Sequence, residues 1–225
     1  MKLKYFSHSA FQITADNGKI ILIDPFLDGN PTSPVKSENV NADYIILTHA
    51  HGDHFGDAFK IADRCGSTFI CVDELANYCV SKGFNAHNMH IGGGYNFDFG
   101  RVKFTIAHHG SLTPDGHYAG QPAGVVISIG NKNIYHTGDT GLFYDMKMLG
   151  ERYKIDYMLL PIGDNYTMDI IDAVKAVEYV NPAVAVPMHY NTFPVIKADP
   201  QEFKKKLEAA DRKCKVMEYG EEIEV

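Results

Sequence analysis

Apolar residues in this chain fall in short runs that end in polar turns, a pattern of many strands rather than a few long helices. Lys2–Phe6, Ala10–Thr14 and Lys19–Asp24 have β-type composition, and the turn-forming Asp16–Gly18 joins the last two, which predicts a meander. Tyr44–Leu47 is a continuous apolar run, the mark of a strand buried on both faces. Helical spacing follows over Phe55–Arg64 and Asp73–Lys82, with a strand predicted between them at Thr68–Val72. The glycines of Ile91–Gly100 read as turns, lacking the strand-then-helix setting of a phosphate-binding loop. Further strands are predicted at Val102–Ala107, Gly124–Ile129 and Asn133–His136. The remainder alternates helices (Tyr144–Tyr153, Asp169–Val180, Pro200–Ala210) with strands (Tyr157–Leu160, Ala183–Pro187, Lys215–Glu218). Sheets in the middle and helices outside are the implied layers. No repeat or Pro/Ser-rich linker divides the chain, so residues 1–225 are expected to form a single domain.

With 225 residues, 45% of them hydrophobic, the chain can bury a substantial core. A formal net charge of -7 argues against general nucleic-acid binding, which needs clustered cations, and favours a small-molecule substrate. The four cysteines form no Cys-x-x-Cys pair and nothing resembling a signal peptide opens the sequence, so a reduced, cytoplasmic protein is expected. No apolar run approaches the roughly 20 residues that span a bilayer, so no membrane association is expected. Assembly into a homo-oligomer is left open.

The chemistry concentrates at Ile46–Asp57, where His49, His51, Asp53 and His54 crowd together just after the Tyr44–Leu47 strand. Imidazole and carboxylate are ligands for zinc and related divalent ions, and a loop after a strand is where α/β proteins hold reactive groups. So short a loop cannot comfortably wrap all four side chains around one ion, so two ions are expected, each with ligands from elsewhere. Three other strand ends offer them: His108 and His109, His136 and Asp139, and His189.

The order Thr-His-x-His-x-Asp-His, His-Gly, Gly-Asp-Thr and a late strand-terminal His resembles the metallo-β-lactamase superfamily. That resemblance covers the whole chain and implies an α/β four-layer αββα sandwich with a metal pair at one edge of the sheets. The segments IDPFLDGNP, MHIGG, FDFGRVKFT, PIGDNYTM and PMHYNTFPVI resemble more closely a group of bacterial and archaeal metal-dependent hydrolases, neighbours of the ascorbate-6-phosphate lactonases. Carried over by position, the resemblance implies a first metal on His49, His51 and His109, a second on Asp53, His54 and His189, and Asp139 as the bridge. His108 departs from the pattern, since an apolar or aromatic residue is expected beside the ligand. His109 is chosen for its place before Gly110-Ser111, and alternation along the strand should send its neighbour the other way.

Two divalent cations about 4 Å apart share and acidify a water to give a hydroxide nucleophile, which makes a metal-dependent hydrolase the expected function. Zinc comes first, with manganese, iron or nickel as alternatives. Asp53 could orient the hydroxide as well as bind. His8, at the end of the first strand, is a candidate proton donor, the resemblance placing an N-terminal histidine facing the metals; a role within the core is equally open. Asp24 is expected to fasten loops behind the site, and His136 to support rather than bind. Asp164, Asn165, Tyr190 and Asn191 are read as either substrate contacts or turn formers. The expected substrate is a small phosphodiester such as a cyclic nucleotide, with a phosphorylated sugar lactone second. A di-iron redox function is disfavoured, since those relatives carry Glu where His51 stands and an appended flavin domain. A partner-binding relative without metals is disfavoured because all seven ligand positions are filled.

Overall fold

The computed structural model describes residues 1–225. Its first sheet begins with β1 (Lys2–Ser7), β2 (Ala10–Thr14), β3 (Ile20–Ile23), β4 (Tyr44–Ile46), β5 (Thr68–Val72) and β6 (Ala86–Met89), side by side in that order. The second contains β7 (Gly94–Phe97), β8 (Gly100–Ile106), β9 (Ala123–Ile129), β10 (Lys132–His136), β11 (Tyr157–Pro161) and β12 (Val184–Met188), again in order. The C-terminal strand β13 (Glu222–Glu224) returns to the first sheet and pairs antiparallel with β1. Both sheets are mixed: β1, β2 and β3 are antiparallel before β3 to β6 run parallel, and β7 to β10 are antiparallel before β10 to β12 run parallel.

The helices are α1 (Gly52–Phe55), α2 (Ala58–Cys65), α3 (Asp73–Ser81), α4 (Met146–Arg152), α5 (Ile170–Val180) and α6 (Pro200–Glu208). α3 packs on β5 and β6, and Phe59 of α2 stacks its ring on Phe84 and edges onto Phe69. On the other side Met146, Val177, Phe203 and Leu207 of α4, α5 and α6 are buried with Met158, Leu160 and Ala185 of the second sheet. Both sheets contribute to a larger apolar core that includes Leu3, Tyr5, Phe11, Ile13, Phe104, Val125 and Ile127. The result is the expected αββα sandwich. No helix is long and apolar enough to cross a membrane.

Strand direction positions the site. β1, β3 and β4 run the same way in the first sheet, as do β8, β10 and β12 in the second. Their C-terminal ends therefore deliver six loops to one edge, which carry His8, Asp24, His49 to His54, His109, Asp139 and His189.

Three expectations need correction. The helix expected over Phe55–Arg64 is broken at Gly56, which adopts φ 45° where a Cβ would meet the Pro25 carbonyl at 2.4 Å, and α2 starts only at Ala58. Lys215–Glu218 is no strand; only a bridge between Cys214 and Ala185 touches the sheet there. Within Ile91–Gly100, expected to form turns, Gly94–Phe97 is the strand β7; like β6 and β13, which the sequence pattern does not predict, it is an edge strand carrying polar, glycine or charged residues.

Candidate metal centre

The buried carboxylate of Asp24 organises the back of the site. It accepts hydrogen bonds from the Thr48 amide (2.9 Å), the Thr48 hydroxyl (2.6 Å) and His54 Nδ1 (2.8 Å). Because the Thr48 hydroxyl spends its proton on Asp24, the 3.0 Å contact between Thr48 Oγ1 and His49 Nδ1 must run the other way, with Nδ1–H donating. Both histidines are thus fixed in the tautomer that leaves Nε2 bare when neutral.

Those bare nitrogens meet the other candidates in two groups. His49 Nε2 lies 3.1 Å from His51 Nδ1, and the rings of both stand edge-on to His109 about 5 Å away, at 5.0 and 5.1 Å between centroids. His49, His51 and His109 bring one ligand atom each within 4.8 Å of one another. One helical turn further on, His54 and Asp53 turn to the other side, where they join His189 and His8 in a second such group. Asp139 stands between: its Oδ2 is 3.3 Å from His54 Nε2, 3.1 Å from His189 Nε2 and 3.6 Å from His109 Nε2.

The local backbone is strained where it turns these side chains inward. His8 (φ 56°), Asp24 (φ 45°) and His189 (φ 54°) all occupy the left-handed region, at about 1–2 kcal/mol each. Gly138 (φ 63°) lets the Asp139 turn pass the Ala123 carbonyl, which a Cβ would meet at 2.5 Å. Gly163 sits against the His189 carbonyl, where a Cβ would come within 2.2 Å.

The remaining histidines separate clearly. His109 faces the cluster, whereas His108 is exposed and rests on Phe143, although both lie in the loop past the end of β8 at Ile106. His136 donates from Nε2 to the Ser9 carbonyl (3.0 Å) and accepts the Gly138 amide at Nδ1 (3.1 Å), so both its nitrogens are used within the core. His8 is fully buried, accepts from Thr192 Oγ1 at Nδ1 (2.9 Å) and donates from Nε2 to Asp53 Oδ2 (3.2 Å). It is not among the residues that line the cavity in front of the cluster. His87, His90 and His117 lie away from the cluster.

Electrostatics follow from burial and the three carboxylates. Burial works against charge on His54 and His189, but Asp139, with Asp24 beside one and Asp53 beside the other, reverses this. His54 is raised well above the usual histidine value and His189 to about 9. Burial likewise works against ionised Asp53 and Asp139, yet the surrounding histidines hold both well below the usual carboxylate range. Burial lowers His49 and His109, and burial with neighbouring His189 lowers His8 to about 4.

These residues fit divalent cations. Two nitrogens bound at 2.0–2.1 Å to a tetrahedral ion are about 3.3 Å apart, matching the spacing within the cluster. His49 Nε2 and His51 Nδ1 face each other with at least one bare lone pair. His54 Nε2 and His189 Nε2 lie 3.3 and 3.1 Å from Asp139 Oδ2 without well-aligned hydrogen bonds, and the buried Asp139 Oδ1 has no partner at all, so a cation would complete the set.

In front of the cluster opens a cavity of about 380 Å³, lined by His51, Asp53, His109, Asp139, Tyr166, His189, Phe193 and Val195. Sequence reasoning missed the roles of Thr48 and Thr192 and the wall of Tyr166, Phe193 and Val195. Asp164 and Asn165 form the left-handed turn that presents Tyr166, and Asn191 clamps its own loop to Ala198, while Tyr190 is buried. The only signal in the sequence was their place in loops after strands β11 and β12.

The chain's resemblances agree with this geometry. A family model described as a β-lactamase superfamily domain matches residues 19–190. A protein of Bacillus cereus named as a metal-dependent hydrolase is 50% identical, over 99% of both chains. One of the same name from Carboxydothermus hydrogenoformans is 49% identical, also over 99% of both. The solved structure of a metallo hydrolase from the hyperthermophilic archaeon Ignicoccus hospitalis superposes with a TM-score of 0.92 at 44% identity, covering 99% of this chain and 97% of that one. Sequence, sheet order and the histidine-carboxylate cluster converge: the chain belongs to the metallo-β-lactamase superfamily, among its metal-dependent hydrolases.

Proposed function

We propose that the protein hydrolyses a small phosphodiester such as a cyclic nucleotide with two divalent cations. His49, His51 and His109 would hold one, Asp53, His54 and His189 the other, and Asp139 stands where it could serve both. The position of Asp139 carries this reading: one carboxylate oxygen lies within 3.6 Å of histidine nitrogens from both groups. When bound, the pair supplies Lewis acidity and a water acidified toward neutrality. Zinc suits the donor set best, and manganese, iron and nickel suit it as well.

The chain's own groups divide the remaining work. Asp53, partly exposed in the cavity and held from behind by His8, orients the attacking water. His8 positions that carboxylate through its Nε2–H, with Thr192 fixing its tautomer from the other side. Its lowered pKa keeps it neutral at pH 7, which suits holding a carboxylate better than delivering a proton. No lysine or arginine lines the cavity. A phosphodiester carries one negative charge, which the cations can meet alone. A phosphorylated lactone carries a dianion remote from its reacting carbonyl, and the cavity offers that dianion no cationic side chain.

The test is turnover by protein reconstituted in turn with zinc, manganese, iron and nickel. Bis-p-nitrophenyl phosphate and 2′,3′-cyclic nucleotides should be hydrolysed in preference to p-nitrophenyl phosphate and to phosphorylated lactones. Preferential ring opening of the lactone, with no diesterase activity, would overturn the substrate assignment.

A further inference from the structure

The cavity has two unlike halves. One is the ligand cluster; the other is made of Tyr166, Phe193 and Val195. Tyr166 and Val195 are each 55% exposed and, with Phe193, give the cavity a contiguous apolar side. Their loops are held firmly. The segment after His189 is closed by Asn191, whose side chain donates to the Ala198 carbonyl (3.0 Å) and accepts the Ala198 amide (3.1 Å). Its backbone amide donates to the Ile196 carbonyl (2.8 Å). Thr192 is tied to His8, and Phe193 packs edge-on against His8 and tilted against Phe26. The Tyr166 loop turns through two left-handed residues, Asp164 and Asn165, and is closed by the Asp164 amide on the Met168 carbonyl (3.0 Å). Asp and Asn are the side chains that adopt this conformation most readily, so the turn that presents Tyr166 is locally encoded. A rigid apolar wall beside a polar floor binds a ligand without the entropy loss of ordering loops.

We infer that Tyr166, Phe193 and Val195 form a subsite for an uncharged aromatic arm of the phosphodiester, an aryl group or a nucleobase, and so determine substrate specificity. This rests on the phosphodiester reading and adds the chemistry of the ester arm. An aromatic ring fits Phe193 and Tyr166 by stacking or edge contact and covers Val195. A charged arm would find no counter-ion in the wall. Hydrolysis adds the water oxygen to phosphorus while one P–O bond breaks with its electron pair leaving on the ester oxygen. The water's protons pass to solvent or to that oxygen. The wall takes no part in this step and selects which diesters reach it.

Two monoanions that differ only in their arms test the subsite: diphenyl phosphate and dimethyl phosphate. Calorimetric binding to the metal-loaded protein, and inhibition of bis-p-nitrophenyl phosphate turnover, should both favour the diphenyl compound by about 10- to 100-fold. Val195→Ser and Tyr166→Ser change exposed residues and leave the core intact; each should shrink that ratio, and together they should bring it near 1. Phe193→Leu should give an intermediate ratio. Diesterase activity with equal binding of the two monoanions would overturn the subsite while leaving the phosphodiester reading in place. Aromatic selectivity in binding without any diester turnover would overturn the phosphodiester reading instead, and the substrate class with it.

Discussion

Asp24 shows how far the site's function rests on residues behind the ligands. Fully buried, it fixes Thr48 and His54 directly and His49 through Thr48, so one hydroxyl orientation and the tautomers of two histidines depend on one carboxylate. Asp24→Ala should therefore destabilise the fold by about 3–5 kcal/mol, the usual effect of removing one partner from a buried charged network. Denaturant unfolding will check this, with metal content measured on the same sample. His8 calls for a different experiment. If it positions Asp53, His8→Ala should slow diesters with good and poor leaving groups by a similar factor, about 10- to 100-fold, the usual effect of losing a ligand's hydrogen-bond partner. It should also weaken metal affinity on competition with a chelator. A defect confined to poor leaving groups would restore the proton-donor role. His109→Ala should strip metal and activity, whereas His108→Ala, on the exposed side of the same strand end, should keep its metal content near that of the parent.

Among the elements, apolar runs bounded by polar turns are the most legible in the sequence: β4, which carries the site, and its neighbour β5, whose limits Thr68–Val72 agree with the expected ones. The C-terminal ends of β8, β10 and β12 carry histidine or aspartate just past an apolar stretch, which points to the site even before the topology is known. What could not be read depends on contacts distant in sequence. Gly56 breaks the helix because Pro25 and Phe26 cross behind it, and nothing local to residues 55–64 reports that crossing. β13 has two glutamates in three residues and forms only because β1 offers it an edge. The apolar wall escaped notice for a related reason, since Tyr166 and Val195 come from loops far apart in the chain and only the fold unites them. Gly163→Ala tests how tightly β11 and β12 are joined at the site. The new methyl would sit 2.2 Å from the His189 carbonyl, so the backbone must shift, and a loss of about 1–3 kcal/mol in stability is expected with weakened metal binding.

Taken whole, the molecule brings two sheets together so that Asp53 and Asp139 at the cavity, with Asp24 buried behind them, face histidines suited to take up protons or cations. His54 and His189 have raised proton affinity, so without bound cations their protonation stabilises the fold fully below the unfolded histidine pKa near 6.5, and that contribution is lost as pH rises through about 9 for His189. Chelator-treated protein should accordingly melt at lower temperature as pH rises from 7 toward 10. Metal affinity should increase over the same interval, because fewer protons compete for the same nitrogens. Calorimetric titration in buffers of different ionisation enthalpy should show protons released on metal binding at pH 7. The most direct test of the two-cation centre is elemental analysis of protein reconstituted with zinc and freed of excess metal. The parent chain should hold two ions, and Asp139→Ala, which removes the group shared by both ligand sets, should hold at most one. One ion or none in the parent, or two retained without Asp139, would contradict the bridged centre on which the proposed mechanism depends.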